Sequence, residues 1–161
     1  MGILGNVIWL LFLGGFWSWI LWLMLSALSF ISIIGIPWGR ACYNISELAA
    51  TPFGKEAIDR RQLTQIKDVG TSAFGFIGNI IWFVLVGIWV AIAHTAAGIL
   101  CCVTLIGIPF GIQHFKLAGL AVAPIGKAIV SKELANQARE ENAKSDLEKL
   151  RSGIALIDIK Q

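Results

Sequence analysis

Ile34-Gly35-Ile36-Pro37-Trp38-Gly39 returns at an offset of 72 as Ile106-Gly107-Ile108-Pro109-Phe110-Gly111, and the fold of this chain turns on that recurrence. Pro52-Phe53-Gly54-Lys55 likewise returns at 72 as Pro124-Ile125-Gly126-Lys127, and Gly5-Asn6-Val7-Ile8-Trp9 at 73 as Gly78-Asn79-Ile80-Ile81-Trp82. One residue has been lost between the anchors. Shared hydrophobicity does not produce matched Asn, Pro, Gly and Lys in one order, so the chain is a tandem duplication. Residues 1–68 form the first unit, 69–130 the second, and 131–161 a polar tail outside the repeat.

The units are composed for lipid. Apolar residues make up 57% of the chain and charged ones 14%, more hydrophobic surface than a soluble domain of 161 residues can bury. Charge is also segregated: residues 1–39 and 69–115 contain no Asp, Glu, Lys or Arg. Buried core helices usually hold about 10–14 apolar residues, far fewer than these runs. No basic region precedes the first block and no small-residue cleavage site ends a short apolar core, so that block is expected to remain in the mature protein. Cys42, Cys101 and Cys102 have no metal-ligand spacing and read as small hydrophobes. The net charge of +3 comes from bases interleaved with acids beside the apolar blocks, which fits anionic headgroups and not nucleic acid.

Length sets the expected topology. A single rod of 39 residues would reach roughly 58 Å against a hydrocarbon core of about 30 Å. Each block is therefore expected to fold back, as apolar hairpins over 3–34 and 74–104, the first turning near Gly14-Gly15 or near Trp17-Ser18-Trp19. Arg40, Lys55, Arg60, Arg61 and Lys67 follow the first block and eight further bases lie after the second, so both flanks read as cytoplasmic and the crossings between them as even in number. The fold class expected is an all-α membrane protein of tandem duplicated helical hairpins, with about four transmembrane or re-entrant helices, short interfacial helices and a polar C-terminal helix. The duplicated hairpins would then be parallel, related by a pseudo-two-fold axis along the membrane normal. Limbs of about 15–18 residues leave full spans and re-entrant pieces both open.

Breaks over 35–39 and 107–111 end the blocks. Gly35, Pro37 and Gly39, with Gly107, Pro109 and Gly111, predict a change of direction followed by helices over 37–50 and 109–122, because proline ends one helix and suits the first turn of the next. Such breaks serve as shaped turns or as places where freed carbonyls meet an ion or headgroup. The Gly-Lys pairs lack the upstream glycine of a phosphate loop. Asn6 and Asn79, matched early in each block, and His94, deep in the second, are the candidate pore or packing residues. The Ser26, Ser29 and Ser32 stripe, partly repeated as Gly98, Cys101 and Thr104, reads as helix packing. Ser131 can cap a helix running to about Arg151, with Gly153 as its stop and an apolar end at Ile154 to Ile159.

The duplicated Gly-Asn-x-Ile-Trp and Ile-Gly-Ile-Pro-(Trp/Phe)-Gly motifs resemble the YccF family of bacterial inner membrane proteins, also called the inner membrane component domain, over roughly residues 3–130. The resemblance implies a multi-pass inner membrane protein with two domain copies. It implies no activity, no cofactor and no catalytic residue.

The functional expectation is a non-enzymatic inner membrane component that assembles with itself or with a membrane complex, its C-terminus cytoplasmic and its other partners membrane lipids. The alternative is a small channel or transporter along the pseudo-axis. An intramembrane enzyme would need a nucleophile, an acid–base pair or a metal cluster inside the blocks, and none is visible.

Overall fold

The computed structural model describes residues 2–158, with side chains through residue 153. Each unit has three helical segments followed by a strand. The first comprises α1 (Gly2–Phe12), α2 (Gly15–Phe30), α3 (Ile36–Ala50) and β1 (Lys55–Asp59). After the short α4 (Arg60–Thr64), the second comprises α5 (Ala73–Trp82), α6 (Ile88–Cys102), α7 (Ile108–Val122) and β2 (Lys127–Ser131), and α8 (Lys132–Asp158) follows. Ser131 Oγ accepts from the Leu134 N–H at the start of α8. That helix runs through Gly153, while the side chains of Ile154 to Ile159 lie outside those described.

Two expectations are corrected. The fold is mostly helical but not all-α, because β1 and β2 pair antiparallel with Ala57 opposite Ile129. The chain reversals also lie elsewhere. The second block does not fold back over 74–104; Ala73–Cys102 is one continuous apolar helix of 30 residues, with a π-helical turn at Phe83–Gly87. The first block is only bent, by 76° between α1 and α2. The hairpins are α2–α3 and α6–α7, which reverse between Phe30 and Ile36 and between Cys102 and Ile108.

Local chemistry explains those reversals. The Gly35 N–H donates to the carbonyl and the hydroxyl of Ser32, and Gly107 repeats this with Thr104, so a hydroxyl closes each tight turn. Pro37 and Pro109 then stand in the first turns of α3 and α7, where no N–H is needed. Gly14-Gly15 cannot make a comparable reversal alone. Five residues separate Trp9 from Gly15 and four separate Trp82 from Gly87, which locates the lost residue. The longer link breaks, with Gly14 left-handed at φ 88°; the shorter one winds as the π turn and the helix continues.

The 72-residue repeat becomes a pseudo-two-fold axis. It passes between Ala57 and Ile129 in the sheet and between Trp22 and His94, which hydrogen-bond at 3.3 Å. The carbonyls of the turn residues Gly54 and Gly126 accept symmetrically, from Lys132 and from Arg60. Phe53 packs on Phe110, and Gly78 lies between Trp38 and Ile125, so the C-terminal end of α3 meets the N-terminal end of α7 and the reverse. The two helices therefore run antiparallel across the axis. Two-fold-related helices that are antiparallel lie perpendicular to the axis, so α3 and α7 form a layer under the sheet, with α2 and α6 beneath them.

The sheet separates two cores. Ala57 and Ile129 pack against the helical core around Trp9, Trp22, Ile45, Leu48 and Leu117, whereas Ile58, Ala128 and Val130 pack against Leu63 and α8 at Ala135 and Ala138. The Arg139 guanidinium pairs with Glu56 across the second interface and holds that carboxyl below the usual carboxylate range.

A Cβ on Gly107 would fall 1.9 Å from the Cys101 carbonyl oxygen, so Gly107→Ala should destabilise the protein by about 1–3 kcal/mol, read as a lower midpoint of thermal aggregation in detergent. Because the folded-state pKa of Glu56 is depressed, its contribution to α8 docking is present above the ordinary carboxylate pKa and is lost as pH falls through the depressed value. Hydrogen-exchange protection in α8, corrected for the intrinsic exchange rate at each pH, should fall on acidification, and less so in Arg139→Ala, which has already lost the pair.

Candidate functional site

Three polar devices hold the fold, two of them repeated within each unit and the third crossing between the units. In the first, Asn6 Nδ2 donates to the Phe53 carbonyl and Asn6 Oδ1 accepts from the Phe53 N–H, at 3.2 and 2.9 Å. Asn79 repeats both bonds on Ile125, at 3.1 and 2.9 Å. A side-chain amide has one donor face and one acceptor face, so it closes on a backbone residue as a neighbouring strand would. The clasped residue precedes the strand, where the helix has ended and its own ladder no longer supplies partners. The matched amides thus hold the sheet connections and do not meet at the pseudo-axis.

In the second device, the Trp9 indole N–H donates to the Ala49 carbonyl at 2.7 Å, and Trp82 does the same to Ala121 at 2.9 Å. These are last-turn carbonyls of α3 and α7, which lack intrahelical partners. Trp9 is fully buried, so the same side chain fills the core and satisfies the helix end.

The third device lies at the axis. Trp22 Nε1–H donates to His94 Nε2, so that nitrogen is an acceptor and neutral His94 carries its proton on Nδ1. His94 Nδ1 lies 3.2 Å from His114 Nδ1, which must then accept, leaving His114 Nε2–H to donate to the Leu13 carbonyl at 3.1 Å. Every donor meets an acceptor with both imidazoles neutral. An added proton on either ring would set two donors face to face. Trp22 is fully buried, and His94 and His114 are nearly so.

His94 therefore belongs to a chain of four groups with Trp22, His114 and Leu13, whose meeting the sequence reading did not foresee. The available signal was the offset: His94 stands 72 residues after Trp22, so a pseudo-axis through one must pass close to the other. Gly39 and Gly111 sit at the helix crossings. The Gly39 carbonyl accepts from Ser26 Oγ at 2.9 Å, and a Cβ on Gly111 would meet the Gly98 carbonyl and Cys102 Sγ.

Comparison with known proteins completes the assignment. The inner membrane component domain profile matches residues 4–55 and 77–127, one segment in each unit. The chain is 39% identical over 137 residues to the inner membrane protein YccF of Escherichia coli (strain K12), covering 84% of this chain and 93% of that protein. The Shigella flexneri protein of the same name matches to the same extent. The chain belongs to the inner membrane component (YccF) family. No solved structure matches it. Both matched segments run from the first helix of the unit to the first residue of its strand, so the family pattern contains both asparagine clasps and both tryptophan bonds.

Asn6→Leu and Asn79→Leu should each cost about 1–3 kcal/mol, because each strands a buried N–H and carbonyl that lipid cannot satisfy. Equal falls in thermal midpoint are expected, since the two clasps have the same geometry. A much smaller fall for one would mean that its clasp is not made in solution.

Proposed function

We propose that this family member is a non-catalytic inner-membrane component embedded from the cytoplasmic side, whose sheet and α8 form a platform for assembly with a second copy or another membrane protein. The observation that carries this reading is the apolar character of both hairpin tips. Ile31, Ile33 and Ile34, with Val103, Leu105 and Ile106, are 78–86% exposed. A tip that emerged into water would carry polar or aromatic anchors.

The pseudo-axis constrains orientation. Were it to lie in the membrane plane, the two tips would project toward opposite surfaces, while Lys55, Glu56, Asp59 and Lys127 on the axis would sit at the bilayer centre. Set along the normal, it keeps the sheet and α8 at the basic, cytoplasmic side and lets both tips point sideways into hydrocarbon. Ala73–Cys102 is long enough to cross, at mean hydropathy 2.3, but it ends in an apolar tip and returns as α7. The hairpins are thus re-entrant, and the count of crossings between the basic flanks stays even at zero.

The competing channel reading draws less support. Trp22 fills the axis and both asparagines are engaged with backbone. In a background with the native cysteines replaced, single cysteines at Lys55 and Lys149 should label from the cytoplasmic side, and cysteines at Ile34 and Leu105 from neither. Labelling of a tip from the periplasmic side would refute embedding without crossing. Liposomes carrying the protein should show no ion or small-solute flux; flux in wild type that Asn6→Leu and Asn79→Leu abolish would refute the non-conducting reading.

A further inference from the structure

Arg40, Arg60 and Lys127 line a single cavity of about 410 Å³, and no carboxylate is among the described residues that line it. The cavity exists because the two units diverge. On one side of the pseudo-axis Phe53 packs edge-on against Phe110 with ring centres 5.3 Å apart. The related pair on the other side is Ile125 and Trp38, and the smaller isoleucine leaves the space open. Arg40 stands where the second unit has Ile112, and Gly70 and Phe74 come from the start of the second unit, Phe74 from the first turn of α5.

The polar end of the cavity has unused capacity. Arg60 pairs with Asp68 through Nη2 at 3.0 Å, but its Nε is buried with no partner among the described residues. Arg40 makes no ion pair among them, and Lys127 reaches Asp59 only at 4.0 Å. Adding a Cβ to Gly70 would crowd Arg60 Nη2, so the glycine keeps backbone close beside the guanidinium. Away from these cations the lining turns apolar, at Trp38, Phe74, Ile77 and Ile81, and the last three are exposed.

Clustered positive charge beside an exposed apolar wall, at the edge of the sheet, matches an amphiphile with an anionic head. We infer that the cavity binds an anionic phospholipid, its phosphate held by Arg40, Arg60 and Lys127 and its acyl chain laid along Phe74, Ile77 and Ile81. The inference rests on the sheet standing at the membrane surface, but its test is made in detergent and does not depend on the labelling pattern.

The sister unit supplies the variants. Arg40→Ile installs the residue of the second unit at that position, and Ile125→Phe installs that of the first, so each has a precedent in the same fold. The full chain in neutral detergent would be titrated by calorimetry with dihexanoyl phosphatidylglycerol, dihexanoyl phosphatidylcholine and inorganic phosphate. Phosphatidylglycerol should bind saturably and roughly tenfold more tightly than either comparator. Arg40→Ile should weaken it by roughly tenfold and Ile125→Phe should abolish it, with thermal midpoints near wild type. Equal binding of phosphatidylcholine would overturn the charge recognition. Equal binding of inorganic phosphate would make this a free-phosphate site and overturn the lipid. Should Ile125→Phe fail to fold, Arg40→Ile decides alone, and unchanged affinity there overturns the site.

Discussion

Antiparallel pairing of β1 with β2, centred on Ala57 opposite Ile129, is the constraint from which the rest of the molecule follows. Two apolar hairpins in lipid gain little from mutual hydrophobic contact, since acyl chains are as apolar as their side chains. A shared ladder of backbone hydrogen bonds fixes them instead. Because the ladder joins equivalent residues of the two units, it imposes the pseudo-two-fold axis, and that axis brings Trp22 to His94. The clasps of Asn6 and Asn79 deliver each strand to this ladder in register, and the indoles of Trp9 and Trp82 secure the helix ends behind them.

The sheet is also a boundary. Strand alternation sends Ala57 and Ile129 toward the membrane-facing helices and Ile58, Ala128 and Val130 toward α8, so five-residue strands connect an apolar body to a polar helix. The sheet, α8 and the apolar hairpins are thus parts of one hydrogen-bonded structure.

Divergence between the units does local work on a symmetric frame. One missing residue turns a broken helix into a continuous one; Ile125 for Phe53 opens a cavity; Arg40 for Ile112 charges it. The strand pairing is kept, and the asparagine clasps survive the exchange of Phe53 for Ile125 because both bonds are made to backbone. That is why the copies can differ in surface and cavity chemistry while keeping one architecture.

Much of this was legible in the residues. Pro37 and Pro109 marked the starts of α3 and α7 because proline lacks an N–H and tolerates only the first helical turn, and the repeat offset implied an axis. The apolar blocks fixed lipid as the solvent. Block length misled, since it suggested that each block must fold back, whereas the reversals use Ser32 and Thr104 with the following glycines, a turn chemistry that the blocks share with their breaks. The strands went unread because five residues such as Lys55–Asp59, with charges at three positions, carry no strand period until a partner is beside them. Sequence by itself supplied the repeated motifs, the apolar composition and the proline-marked starts of α3 and α7, which are local properties of the chain. Only the tertiary structure decided the antiparallel crossing of the helices, the roles of Asn6, Asn79 and His94, and the cationic cavity, because each depends on groups from two units meeting in space.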